Sequence, residues 1–394
     1  MSGRTSLRAF LANARAALTS PAAQRSSPLT LVVGNESADL DSLCSAVVYA
    51  YLRTHTPPHT LHIPVSNLPR DDLKLRPEMT AALGNANLTP SDLLTLDDLP
   101  SELPAHDTRW LLVDHNALTG DLGKKYSSRV VGCVDHHADE HKVPADTGAE
   151  PRVVEKCGSC ASLVVEHLRS AFPTTGDDVA HLAKLALAPI LIDTTNLQSR
   201  DKTTPKDASA AAFLEPLAGA DLFDRTIFYE ALCAVKEDIS ALGFRDIFRK
   251  DYKQWDDQGS APEPAVMGVS AVVQNLGYLV TKADGDEQRL LQEFKSWAEE
   301  KRLDIASIMT TAHPDGNFER DLLVWAFNKN AVQACENFYK EYKDELGLEA
   351  WRGGALDQVG EDVWRMAWSQ KNLSHSRKQV APMLRDAIKG GAKI

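Results

Sequence analysis

Four apolar runs in the first half of this chain each lead into acidic residues, and that repetition constrains the fold more than any other feature. LTLVV (29–33) leads through GNESADLDS to Asp39 and Asp41, and WLLV (110–113) leads to Asp114. RVVGCV (129–134) leads to Asp135, His136 and His137, and ALAPILI (186–192) to Asp193. Continuous apolar runs separated by helix patterns such as Leu43, Val47, Val48 and Tyr51 read as strands buried on both faces. The expected fold is therefore α/β, a parallel sheet with helices on both faces. The Ala-rich start of the fourth run also suits the end of a helix. Ligands of an open parallel sheet bind outside the carboxyl ends of its strands, so four strand ends would bring these carboxylates and imidazoles to one rim.

The second half reads as a smaller α+β domain. Helix patterns lie at about 224–242, 286–300, 332–345 and 378–388, strands at 266–274 and 321–328, and a Gly/Pro/Asp-rich turn at 256–264. A boundary near 225 gives domains 1–225 and 226–394. The balance of 43 basic against 55 acidic residues, net −12, argues against coating nucleic acid or an anionic membrane. No apolar run approaches the roughly 20 residues that span a bilayer, and six cysteines are too sparse for a disulfide scaffold. A cytoplasmic protein with no nucleic-acid or membrane partner is expected. Residues 1–30 hold Arg4, Arg8, Arg15 and Arg25 and no acid, while Leu7, Phe10, Leu11, Ala14 and Leu18 share one helical face. That composition is found in mitochondrial targeting segments, but the expected reading is a helix packing its stripe on the first domain.

The strand-end residues suggest chemistry by their number. A lone Asp after a strand is usually a helix cap or turn residue. So many carboxylates in one place would raise each other's pKa unless cations neutralised them. Oxygen-rich sites with one or two imidazoles suit Mg²⁺ or Mn²⁺, and two ions about 3.5–4 Å apart can clamp a phosphoryl group.

In combination, GNESADLDS (34–42), LLVDHN (111–116), VDHH (134–137) and LIDTTNLQ (191–198) resemble the four motifs of the DHH phosphoesterase superfamily. KEDISALGFRDIFRKDYKQW (236–255) and SHSRKQVAPML (374–384) resemble its DHH-associated C-terminal domain, found in family II inorganic pyrophosphatases and prune. The GNESADLDS opening and PRDDLKLRPE (69–78) are most similar to the fungal-type exopolyphosphatases. The resemblance implies an active site in an interdomain cleft, with Asp39, Asp41, Asp114, His136 and Asp193 as metal ligands and Asp114 bridging two ions. It places His137 beside the substrate phosphate with His115 nearby, and Arg377, Lys378 and Lys253 on phosphate oxygens. Family II pyrophosphatases begin the first motif with His where this chain has Asn35. A harder amide ligand there favours Mg²⁺ and the exopolyphosphatase branch. The implied activity is release of orthophosphate from the ends of inorganic polyphosphate by a monomer. A pyrophosphatase, a prune-like nucleotide phosphodiesterase and a non-catalytic scaffold are the alternatives.

A chain-shortening enzyme needs a basic path away from the metals. Lys74, Arg76, Lys202, Lys206 and the cluster Arg245, Arg249, Lys250 and Lys253 are the candidates. Cys157 and Cys160 have CxxC spacing but lack the second pair that would complete a zinc site. The Gly158-Ser159 segment suits a cap or an anion at a helix start. His313-Pro314-Asp315-Gly316 reads as a turn between helix and strand, and Trp325, Trp364 and Trp368 as core.

Overall fold

Five parallel strands organise the first half of the chain: β1 (Leu29–Val33), β2 (His62–Val65), β3 (Thr108–Val113), β4 (Val130–Asp135) and β5 (Arg152–Val154). A computed structural model describes residues 4–176, 178–219, 222–257 and 265–390. The strands lie in the order β2-β1-β3-β4-β5, and all pairs are parallel. Every residue of β1 is buried and five of six in β3. Successive side chains point to opposite faces, so both faces are covered. The chain leaves β1 toward β2 on one side and returns to β3 on the other. The gap between the ends of β1 and β3 is thus a topological switch point, where such sheets bind ligands.

The helices of this half are α1 (Leu7–Thr19), α2 (Leu40–Thr54), α3 (Pro77–Asn85), α4 (Gly120–Tyr126), α5 (Cys160–His167), α6 (Val179–Thr194), α7 (Pro205–Leu214) and α8 (Arg225–Glu237). In α1 the stripe Leu7, Phe10, Leu11, Ala14 and Leu18 is wholly buried in the same core as the sheet, so the apolar face has a structural partner within this chain. The run 186–192, expected as a strand, lies inside α6, and Asp193 sits in its last turn. Nearly every residue there is buried, so no polar face marks the 3.6-residue period, and helix-forming Ala and Leu decide the outcome. Three strands and one helix therefore deliver the acidic residues, not four strands.

The chain divides into two compact units, Met1–Lys236 and Glu237–Ile394. The second unit carries helices α9 (Phe244–Lys250), α10 (Leu276–Lys282), α11 (Glu287–Glu300), α12 (Lys329–Leu346) and α13 (Arg377–Ile388). Its strands are β6 (Tyr252–Asp257), β7 (Ala265–Val272), β8 (Ile305–Thr310), β9 (Asp321–Ala326), β10 (Leu348–Ala350), β11 (Gln358–Val359) and β12 (Trp364–Gln370). They form a mixed sheet in the order β10-β12-β9-β8-β7-β6 with β11 on β12, and only β7–β8 is parallel. Along β9, Leu323 and Trp325 pack with Phe248, Phe294 and Trp297, while Leu322 and Val324 pack with Phe338, Val380 and Leu384. Two helical layers sandwich the sheet, and Trp325, Trp364 and Trp368 are buried in them. The His313–Gly316 turn joins β8 to β9 and so links two strands. Most of the Gly/Pro/Asp-rich turn expected at 256–264 lies outside the described residues.

Candidate active site

At the switch point, Asp114 follows β3 with φ of 62°, in the left-handed region that Asp and Asn tolerate better than other side-chain-bearing residues. Its amide is fixed by donation to Val134 O (3.0 Å). Its Oδ2 accepts from Ser42 Oγ (2.6 Å) and Asn35 Nδ2 (2.8 Å), and its Oδ1 lies 3.1 Å from His136 Nε2 and 3.8 Å from His137 Nδ1. Asp114, His136 and His137 place ligand atoms within 4.8 Å of one another.

Asp39 and Asp41 come from the start of α2. Asp39 caps the helix, accepting from Ser42 N (3.0 Å), and stays exposed at the rim. Asp41 is buried. Its Oδ1 accepts from Ser45 Oγ, Ser159 Oγ and Ala161 N at 2.9–3.1 Å, and its Oδ2 accepts from Cys160 N (2.6 Å) and stands 4.0 Å from His136 Nε2. The anions received at this helix start are thus the chain's own carboxylates: Asp41 takes Cys160 N and Ala161 N, and Asp207 takes Gly158 N and Ser159 N. Cys157 and Cys160 are buried, and their thiols donate to Ser159 O and Val134 O.

His136 Nδ1 bonds Cys157 O (3.0 Å), leaving Nε2 toward the carboxylates. His137 Nδ1 bonds Asp135 Oδ1 (2.8 Å), and Asp135 Oδ2 in turn accepts from Asn116 Nδ2 (2.5 Å). His115 is turned inward. Its Nδ1 meets Val113 O (2.9 Å), and its buried Nε2 has no hydrogen-bond partner among the described residues.

The electrostatics are those of anions held too close together. Burial, Asp41 and Asp39 push Asp114 well above the usual carboxylate range. Burial also raises Asp41, with His136 opposing and Asp39 adding to the shift. Asp193 is pushed up to about 8 by burial, Asp41 and Asp39, with Lys236 and His136 opposing. Burial pulls His136 down, but bonds to Asp114 and Cys157 O and the charges of Asp41 and Asp114 carry it up to about 12. For Asp135 burial acts upward, and the bonds from His137 and Asn116 bring it below its ordinary value. Burial lowers His115 to about 4, so it is neutral near pH 7. An imidazolium thus serves as the cation among these carboxylates. Three carboxylates and an imidazole that repel or protonate one another out of water are a donor set that fits a divalent cation.

Several sequence candidates have partners of their own. Asn35 directs its amide N–H groups at Asp114, and its Oδ1 accepts from Ser37 N (2.9 Å). In the second unit, the Arg377 guanidinium at the start of α13 donates to Asp251 Oδ1 (2.7 Å) and Asp251 O (2.9 Å). Lys378 is the next residue of α13, and Lys253 is on β6. The expected basic path is largely taken up by local partners. Arg76 is buried and donates to Ala38 O and Ser37 O, Lys206 spans Glu155 and Glu166 (both 2.8 Å), Arg245 pairs with Glu300 and Arg249 with Asp246. Ser42, Asn116 and Asp207 were not singled out from the sequence, and Ser159 only as part of a helix start. Their signals were the Ser one residue past the acidic pair, the Asn two past Asp114, the Gly-Ser helix start, and the Thr204-x-x-Asp207 capping box.

A family model described as the DHH family, N-terminal domain, matches residues 30–190, and one described as the DHHA2 domain matches 230–387. A Schizosaccharomyces pombe protein assigned as an exopolyphosphatase is 32% identical over 398 residues, covering 98% of this chain and 96% of its own length. Human exopolyphosphatase PRUNE1 is 29% identical, covering 96% of this chain and 79% of its own. A manganese-dependent inorganic pyrophosphatase of Methanothrix thermoacetophila is 25% identical over 91% of this chain and 98% of its own. A solved Methanococcus jannaschii structure, assigned as a family II inorganic pyrophosphatase, shares the fold with a TM-score of 0.56 at 21% identity, covering 92% of this chain and 100% of its own. With its DHH motif at the switch point and its second unit matched by the DHHA2 domain, this chain belongs to the DHH family.

Proposed function

We propose that this chain is an exopolyphosphatase that releases orthophosphate from the ends of inorganic polyphosphate, with Mg²⁺ or Mn²⁺ held by Asp39, Asp41, Asp114, His136 and Asp193. The observation that carries the reading is Asp114, buried, bonded to His136 and raised in pKa by Asp41 and Asp39. When bound, the ions polarise phosphoryl oxygens and acidify the attacking water.

The remaining work falls to the chain. Ser42 and Asn35 fix Asp114 Oδ2 and so the direction of its free lone pairs. Asp135 bonds Nδ1 of His137 and leaves Nε2 as the atom that exchanges a proton beside the reacting phosphate. His115, near enough to feel the charge of His137, stays a neutral neighbour. Arg377, braced by Asp251, and Lys378 and Lys253 take the charge that spreads over the phosphate oxygens.

The exopolyphosphatase names of the S. pombe and human relatives support a polyphosphate substrate, as does Asn35 in place of a histidine. The manganese-dependent relative supports divalent-ion chemistry. No helix among the described residues is long and apolar enough to cross a membrane, and all six cysteines are unpaired. The free cysteines fit a reducing compartment such as the cytoplasm.

The test is phosphate release with Mg²⁺ from long-chain polyphosphate, tripolyphosphate and pyrophosphate, with Asp114→Ala as control. Fast release from the longer substrates and none from the variant is the expected result. Pyrophosphate as the best substrate would reassign the enzyme, and no hydrolysis with Mg²⁺ or Mn²⁺ would point to a scaffold.

A further inference from the structure

A second buried carboxylate lies behind the metal-ligand candidates. Asp207, in the first turn of α7, is fully buried and collects five donors. Its Oδ1 accepts from Ser162 Oγ (2.6 Å) and Ser159 N (3.2 Å). Its Oδ2 accepts from Thr204 N (2.7 Å), Thr204 Oγ1 (2.8 Å) and Gly158 N (2.9 Å). A carboxylate out of water persists only with such a set of charge-assisted bonds. Thr204 accounts for two of the five as an ordinary capping box. The other three reach 45 or more residues back along the chain and seize one short turn, 158–162.

That turn is what holds the neighbouring ligand candidates. Its Ser159 Oγ, Cys160 N and Ala161 N donate three of the four bonds that Asp41 accepts. Cys157, at its entry, supplies the carbonyl that bonds His136 Nδ1. The turn cannot drift outward or inward. A Cβ on Gly158 would stand 2.6 Å from Thr194 Cγ2, next to Asp193, and 2.9 Å from Asp207 Oδ2.

We propose that Asp207 is a positioning residue for the metal centre. By clamping 158–162 it fixes Asp41 through the start of α5 and His136 through Cys157 O. The ligand atoms are thereby set before any ion arrives. The inference rests on the metal-site reading above. Partners behind the ligands typically contribute about 10–100-fold in metal affinity, and that is the effect assigned to Asp207.

The experiment is Mn²⁺ titration of the full-length protein followed by electron paramagnetic resonance of free Mn²⁺, with circular dichroism as the folding control. Asp207→Asn keeps the volume but sets an amide N–H against backbone donors. It should bind Mn²⁺ about 10–100-fold more weakly, and its phosphatase activity should return when Mn²⁺ is raised, which a merely structural lesion would not do. Wild-type Mn²⁺ affinity in a folded Asp207→Asn protein overturns the proposal. If that variant does not fold, Ser162→Ala decides. It removes one bond to Asp207, so weaker Mn²⁺ binding supports the clamp and unchanged binding overturns it. Asp114→Ala separates the two readings: Mn²⁺ binding as tight as wild type in that variant would refute the metal site itself.

Discussion

Divalent-ion binding should be strongly pH-dependent, because the cluster holds protons where the ion would sit. The perturbation is a change of pH from 6 to 9 at fixed salt. Asp193 has a pKa of about 8 and His136 of about 12 in the ion-free protein. Both must be deprotonated to act as ligands. The sign follows directly: proton and cation compete, so affinity rises with pH. At pH 6 only about 1% of Asp193 is ionised, a roughly hundredfold or 2.7 kcal/mol handicap at 1.36 kcal/mol per unit. His136 adds about tenfold per unit throughout this range. Asp114, also held well above the carboxylate range, adds to the count, so binding should release at least two protons below pH 7 and fewer at pH 9. Calorimetry of Mg²⁺ binding in buffers of different ionisation enthalpy counts those protons. Release of fewer than one proton at pH 6.5, or an affinity constant from pH 6 to 8, would refute the reasoning.

Three further predictions follow from individual contacts. Asp135→Asn should lower kcat by roughly 10²-fold with little change in KM, since it frees the His137 ring; steady-state kinetics on polyphosphate would show it, and an unchanged kcat would remove His137 from proton transfer. Leu11→Ala empties a wholly buried position of α1 and should cost about 2–5 kcal/mol in urea unfolding, whereas a detachable targeting segment would leave stability unchanged. Raised pKa values at Asp41, Asp114 and Asp193 mean the ion-free fold binds more protons than the unfolded chain, so its stability should fall as pH rises from about 4 toward 8. Mn²⁺ at about 100 Kd should restore roughly 2.7 kcal/mol, read as a Tm shift that EDTA reverses and that Asp114→Ala lacks.

The parallel sheet was legible because β1, β3 and β4 are apolar runs that break cleanly on acids. The helix α6 was harder to read because burial on all sides erases the periodicity that separates strand from helix. Short strands such as β2, β5 and β10 carry too few residues to show alternation. In the site, the DxD and DHH residues were visible since each is charged and adjacent to a strand end. Ser42 and Asp207 escaped notice because their roles depend on contacts across 45 or more residues, as between Asp207 and Ser162. Arg76 was a candidate for the basic path and is instead buried as a brace for the 37–38 turn.

The left-handed backbone at Asp114 limits how this protein can lose its activity. Most side chains there would add strain of about 1–3 kcal/mol, but asparagine and glycine fit the same φ. Both are one nucleotide from an aspartate codon. A chain that keeps the whole fold yet lacks the Asp114 carboxylate is therefore a single mutational step away, and a non-hydrolysing binder of phosphoanhydrides is within easy reach of selection.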